Sequence, residues 1–263
     1  MTQWIAMAIG AHPDDIEFMM AGSLLLLKQA GAEIHMWNLA NGCCGTMALD
    51  PPEIIRLRQA EAAASARLAG ATLHSPLVDD LAVFYEPKLL ARVAAVVRQL
   101  RPNIVLVPSP QDYMEDHMNT CRLAVTAVFV RAVRNYVTDP ATPPYYGDVA
   151  LYHAEPYGLH DGLRQLVRPT HYVDVSSVLS QKQDMLAQHV TQKDWIDASQ
   201  GIEAYVTEMD TMCQRVGCMS GHFACAEGWR QHLHLGFGPP SFDPLADLLG
   251  SRCWVEPTGD PGS

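Results

Sequence analysis

The sequence predicts an α/β protein: a mostly parallel sheet covered by helices on both faces. Three observations carry this. Short apolar runs alternate with helix-forming stretches from Trp4 to Glu155, the links between successive runs are long enough for a helical crossover, and several runs are apolar throughout. Continuous rather than alternating hydrophobicity marks strands buried on both sides, and helical crossovers are what parallel pairing requires.

Each element follows from its own pattern. "WIAMAIGA" (4–11) reads as a buried strand, and "EFMMAGSLLLLKQAG" (17–31) is apolar all round, as a buried helix is. "AEIHMWNLA" (32–40) is a second strand. Glycine and proline signals in "NGCCGTMALDPP" (41–52) mark a loop, and the alanine-rich "EIIRLRQAEAAASARLAG" (53–70) is a helix closed by Gly70. "ATLHSPL" (71–77) is a third strand, "KLLARVAAVVRQLR" (88–101) a helix, and "NIVLVPSP" (103–110) a β-branched buried strand. "DHMNTCRLAVTAVFVRAVRNYV" (116–137) is helical, 138–147 a loop and "DVALYHAE" (148–155) a strand. The second half is less regular: "HYVDVSS" (171–177) leads from a strand into a helix from Val178 to Gln192, and 201–217 is a further helix. The whole reads as one Rossmann-like domain over 1–238, with 239–263 a peripheral, proline- and glycine-rich C-terminal tail. No internal repeat is present.

Composition excludes several classes of function. The 263 residues are 48% hydrophobic and 18% charged, the make-up of a globular protein with one large core. Eighteen basic residues against 29 acidic ones give a net charge of −11, which opposes binding to nucleic acid or anionic membranes. No apolar run reaches the ~18 residues of a membrane span, and no secretory leader pattern is seen, so a cytoplasmic location is expected. The 7 cysteines are odd in number and irregularly spaced, unlike a disulfide framework or a zinc ribbon. Cys43 and Cys44, in the loop after the second strand, read as packing residues rather than redox or metal groups.

The chemistry concentrates where two predicted strands end. "IGAHPDDIEF" (9–18) places His12, Asp14, Asp15 and Glu17 on and just beyond a strand-to-helix turn, the edge at which open α/β sheets bind ligands. Capping the helix needs only one carboxylate. A second cluster, "PSPQDYMEDHMNT" (108–120), opens the next helix with Asp112, Tyr113, Glu115, Asp116 and His117. If both strand ends face one cleft, His12, Asp15 and His117 form an imidazole, carboxylate, imidazole set, a catalytic zinc pattern with a fourth position open for water. Asp14 is then left to accept that water's proton. For Glu115 a favourable interaction with the helix dipole is the simpler reading. No Gly-x-Gly-x-x-Gly follows the first strand, which argues against a nucleotide-binding oxidoreductase of similar topology.

These residues resemble the zinc-dependent LmbE-like/PIG-L deacetylases. The likeness runs in order through "AHPDD" with Glu17, "RQAEAAASARLAG" with Arg58 and Glu61, "DYMEDH" ending in His117, "KQDMLAQHVTQ" (182–192) and "FACAEGWR" (223–230). It implies a hydrolase that removes an N-acetyl or other N-acyl group from an amino sugar or glycoconjugate. It also implies one Zn2+ per chain, with another divalent metal able to substitute, held by His12, Asp15 and His117. Asp14 is then the general base. Arg58, Tyr113 and His222 are the expected substrate contacts, Asp112 and Asp116 orient the ligands, and a homo-trimer or hexamer is the expected assembly. One departure stands out. Members commonly carry a histidine three positions before the last ligand, where this chain has Met114, and a thioether cannot donate to an oxyanion. The expected replacement is Tyr113, His222, His232 or His234, with a C-terminal histidine favoured; a non-catalytic carbohydrate- or metal-binding homologue is the rival reading.

Overall fold

The computed structural model describes residues 3–192 and 205–257. Eight strands form one sheet: β1 (Ile5–Gly10), β2 (Glu33–Asn38), β3 (Thr72–His74), β4 (Ile104–Val107), β5 (Ala150–Ala154), β6 (His171–Asp174), β7 (Ala226–Gln231) and β8 (Cys253–Val255). Their order is β3-β2-β1-β4-β5-β7-β6-β8. The first five pair in parallel, and β7, β6 and β8 add an antiparallel extension. From β1 the chain winds outward to β2 and β3, then returns to place β4 on the other side of β1. That reversal opens a crevice between the carboxyl ends of β1 and β4.

The helices are α1 (Asp15–Met19), α2 (Ala21–Gln29), α3 (Pro51–Ala69), α4 (Pro87–Leu100), α5 (Glu115–Phe129), α6 (Leu179–Leu186), α7 (Tyr205–Ser220) and α8 (Pro244–Leu249). They cover both faces because the central strands β1 and β4 are apolar on both. Ala6 and Ala8 of β1 join one core with Leu24–Leu27 and Met209, while Met7 and Ile9 join the other with Val93, Val97 and Leu123. Each fully buried leucine there contributes about 1.5–3 kcal/mol.

Four boundaries differ from the sequence reading. The helix expected over 17–31 is two helices meeting at Met20, and α2 has its first amides capped from across the sheet: Gly22 N–H and Ser23 N–H donate to Glu227, at 2.7 Å each. A side chain at Gly22 would lie 2.4 Å from Val175, so glycine permits that close approach. Helix α5 ends at Phe129 rather than continuing to 137, because Arg131 turns inward to donate to the carbonyls of Val128, Gly147, Gly236 and Phe237. Helix α6 stops at Leu186, short of Gln192.

The fourth difference is the tail, which is not peripheral. Asp243 caps α8 through Ala246 N–H, Leu245 and Leu249 bury themselves, and β8 pairs with β6 at the sheet edge. Proline and glycine there punctuate structure rather than mark its absence. Residues 201–204 of the expected 201–217 helix and the last residues, 258–263, lie outside the described residues. No helix among the described residues is long and apolar enough to cross a membrane.

Candidate active site

At the β1/β4 crevice lies a cavity of about 460 Å³. The turn after β1 brings His12, Asp14 and Asp15 to it, and the first turn of α5 brings His117. Ligand atoms of His12, Asp15 and His117 lie within 4.8 Å of one another. Asp15 Oδ2 accepts the backbone N–H groups of Ala11 and His12 at 2.8 and 2.9 Å, which fixes the carboxylate.

Both imidazoles are aimed. His12 Nε2 meets Asp116 Oδ2 at 3.1 Å and leaves Nδ1 on the Asp15 side, 3.8 Å from Oδ2. His117 Nδ1 meets Asp112 Oδ1 at 3.0 Å and leaves Nε2 3.4 Å from Asp15 Oδ1. A carboxylate behind a ligating histidine sets its tautomer and ring orientation. Burial opposes charge on these groups, yet His117 and His12 hold the Asp15 carboxyl well below its usual range. Against the same burial, Asp15 and Asp112 push the His117 imidazole well above its own. The arrangement therefore favours positive charge between the rings, and its nitrogen and oxygen donors are those of a divalent zinc-type ion.

Asp14 stands apart from that trio. Its backbone is held at φ 113°, a strained position for a non-glycine residue. Oδ2 accepts the Tyr205 hydroxyl at 2.5 Å, and Oδ1 lies 3.5 Å from Arg58 Nη2. Burial raises the Asp14 carboxyl above its ordinary range and outweighs the nearby guanidinium. Arg58 also donates to the Pro13 carbonyl, so it supports the turn that presents Asp14.

The structure places the remaining sequence candidates unevenly. Arg58, Asp112 and Tyr113 line the cavity, and the Tyr113 ring packs edge-on to His117 at 5.7 Å. Asp116 sits behind His12 and also accepts Leu81 N–H at 2.7 Å. His222 is not brought to the cavity; it stacks on Trp254 with ring centroids 4.4 Å apart. His232 bonds His153 at 2.9 Å and packs on Phe237. Of the four groups expected to replace the histidine missing at 114, Tyr113 alone is among the described cavity-lining residues, as is Met114 itself.

The sequence pattern does not mark Tyr205 as a site residue. In sequence it is one buried position of the apolar stripe of α7, with Met209, Met212 and Val216, and nothing in that pattern shows that its hydroxyl meets Asp14. Its ring begins an aromatic wall that continues through Phe18 at 5.5 Å and Tyr157 at 5.2 Å to Tyr113 at 6.2 Å.

Comparison with known proteins agrees with this geometry. Residues 7–128 match the family model described as PIG-L, GlcNAc-PI de-N-acetylase. The diacetylchitobiose deacetylase of Thermococcus kodakarensis is 26% identical over 234 residues, covering 85% of this chain and 81% of that protein. The 4-oxalmesaconate hydratase of Pseudomonas putida is also 26% identical, over 188 residues, covering 67% of this chain and 69% of that one. In fold, the chain resembles the crystal structure of GalB, the 4-carboxy-2-hydroxymuconate hydratase from Pseudomonas putida, with TM-score 0.75 and 20% identity over 92% of this chain and 99% of that one. The family match spans β1 to α5, just under half of the chain, and takes in His12, Asp14, Asp15, Arg58 and His117; over these residues the chain is similar to the PIG-L family.

Proposed function

We propose that this protein is a zinc-dependent amide hydrolase that removes an N-acetyl or other N-acyl group from an amino sugar or glycoconjugate. The observation that carries this reading is the pair of aimed imidazoles: each turns one nitrogen to a carboxylate and the other toward Asp15. When bound, zinc supplies Lewis acidity to the amide carbonyl and lowers the pKa of a neighbouring water to about 7. His12, Asp15 and His117 hold it. Asp14, outside the ligand set, takes the proton from the attacking water, and Tyr205 and Arg58 keep its carboxylate oriented for that transfer. Tyr113 is the side-chain donor on hand beside His117 for the developing oxyanion.

A second reading, hydration of an unsaturated acid, is favoured by the hydratase relatives and by Met114. Charge on the cavity wall weighs against it. A substrate bearing carboxylates needs cations to receive it, and outside the His12, Asp15 and His117 metal set the described lining offers one arginine, already committed to Pro13 and Asp14, beside the carboxylates of Asp14, Asp80 and Asp112. A neutral amide suits this wall better. The expected setting is the cytoplasm and the expected assembly a trimer or hexamer, to be read by light scattering.

The test combines elemental analysis with assay of free amine released from N-acetylglucosamine and N,N′-diacetylchitobiose. Zinc near one per chain with amine release is expected, and His117→Ala is expected to lose both while staying folded. Metal retained in that variant refutes the ligand set, and hydration of an unsaturated dicarboxylate without amine release selects the second reading.

Tyr205→Phe preserves the ring and removes one hydroxyl. It is expected to leave metal content and KM unchanged and to lower kcat about tenfold or more, since the lost contact acts through Asp14. In an Asp14→Asn background the same change should have almost no further effect. Full additivity of the two losses would show that Tyr205 does not act through Asp14.

A further inference from the structure

The loop between β2 and α3 carries a second group of metal-ligating side chains that the hydrolytic reading does not use. Cys43 Sγ, Cys44 Sγ and a carboxylate oxygen of Asp80 lie within 4.8 Å of one another. The two sulfurs are 3.8 Å apart and form no disulfide. Two thiolates on a tetrahedral zinc-type ion, each bonded at about 2.3 Å, are separated by about that same distance. The sulfurs therefore stand at ligand spacing without rearrangement.

Asp80 is held in place by the loop it faces. Its Oδ1 accepts Gly42 N–H at 2.7 Å and its Oδ2 accepts Cys44 N–H at 2.9 Å, while Cys43 N–H donates to Asn41 at 3.1 Å. Each carboxylate oxygen keeps a further lone pair. Burial leads in pushing the Cys43 thiol up to about 11, and the Asp80 charge adds to it, so that thiol stays protonated at neutral pH until a cation displaces its proton.

The position matters as much as the donors. Cys44 and Asp80 line the catalytic cavity, and the residue after Asp80, Leu81, donates its N–H to the carboxylate that holds His12. Cys44 is exposed and Cys43 half-buried, so a dissolved ion reaches the pair. Sulfur donors select soft d10 ions, whereas the His12, Asp15 and His117 set has none.

We infer that Cys43, Cys44 and Asp80 form a second, inhibitory cation site for a thiophilic divalent ion such as zinc in excess or cadmium, at the wall of the catalytic cavity. On binding, two metal–sulfur bonds form, both thiol protons pass to solvent, Asp80 supplies an oxygen, and water completes the tetrahedron. The bound ion and its water fill the space beside Cys44 and bar substrate from the cavity. The site itself stands apart from the hydrolase reading; the inhibition rests on it.

The test uses the zinc-loaded protein kept reduced with a phosphine and titrated with cadmium chloride. Thiolate-to-cadmium charge-transfer absorption is expected to rise and saturate at one added equivalent per chain. It should be absent from the Cys43→Ser/Cys44→Ser double variant and unchanged in Cys218→Ser, which removes another exposed thiol. In parallel, zinc beyond the catalytic equivalent should lower amine release by the parent at least tenfold and leave the double variant within twofold of its own rate. Thermal melting of both variants confirms their fold. No absorption in the parent, or absorption that survives in the double variant, overturns the site. Saturating absorption with undiminished turnover overturns the inhibition. Absence of any turnover of N-acylated sugars removes the hydrolase reading and the inhibition with it, while the absorbance titration still decides the site.

Discussion

Asp14→Asn is expected to keep its metal and lose turnover by about 10²–10⁴-fold, the usual cost of removing a general base. Asparagine matches the carboxylate in shape, so it still accepts the Tyr205 hydroxyl, but it cannot take a proton from water. Its neighbour is expected to behave differently. Asp15 is fixed by two backbone N–H groups on Oδ2 and presents Oδ1 to His117, so Asp15→Asn should lose metal first and activity as a consequence. Zinc content and kcat/KM measured on both variants separate the two roles. Equal metal loss in both variants would mean that Asp14 is a ligand rather than the base.

Glu17→Ala is expected to destabilise the fold by about 3–5 kcal/mol, the range for removing one partner of a buried ion pair. Glu17 and His189 are fully buried, with Glu17 Oε1 3.1 Å from His189 Nε2 and accepting the Ser65 hydroxyl at 2.5 Å. Because neither group reaches solvent, screening does not reduce the effect. Burial opposes both charges, yet His189 holds the Glu17 carboxyl below its ordinary 4.5 and Glu17 holds the His189 imidazole above its ordinary 6.5. Glu17 therefore contributes stability that is present above pH 4.5 and lost as pH falls through its lowered folded value. His189 contributes stability that is present below pH 6.5 and lost as pH rises through its raised folded value. Denaturant melts across pH should show the widest gap between parent and variant in the weakly acidic range. A gap that does not vary with pH would show that shape, not the ion pair, carries the effect.

The same reasoning separates the family-like motifs by what they do. His12, Asp14, Asp15 and His117 face the cavity. The later motifs do not act there as a group. Lys182 is fully buried and donates to Glu227 at 2.6 Å, Glu227 caps α2, and Glu61 accepts both the backbone N–H and the hydroxyl of Thr191. These charged residues are internal fasteners between segments far apart in the chain. Sequence spacing shows only that charges recur, since the partner of each is more than 40 residues away.

Much of the architecture was legible because it is local. Apolar runs of strand length, separated by helix-length links, force a parallel sheet with two covered faces, and both polar clusters fall at strand ends because an apolar run stops where burial stops. The grouping of His12, Asp15 and His117 was legible for the same reason: two histidines and a carboxylate sit within a few residues of two such ends. Strands β7 and β8 were not read, because "AEGWRQ" and "CWV" carry polar or too few residues and become strands only through pairing with β5 and β6. The proline-rich segment from Pro239 has the composition of a tail, and composition does not reveal that Leu245 and Leu249 find a core.

By itself, then, the sequence determined which residue types could hold a metal and at which end of which strand they would lie, since hydrophobic period and residue chemistry are properties of the local chain. Tertiary structure alone decided three further things. It chose Tyr205 as the partner of Asp14 across 191 positions, kept His222, His232 and His234 off the cavity wall, and set Cys43 and Cys44 beside Asp80. The physical reason is common to all three. A hydroxyl, an imidazole or a thiol is given its role by the group it meets at about 3–4 Å, and which groups meet is settled by packing of the whole core.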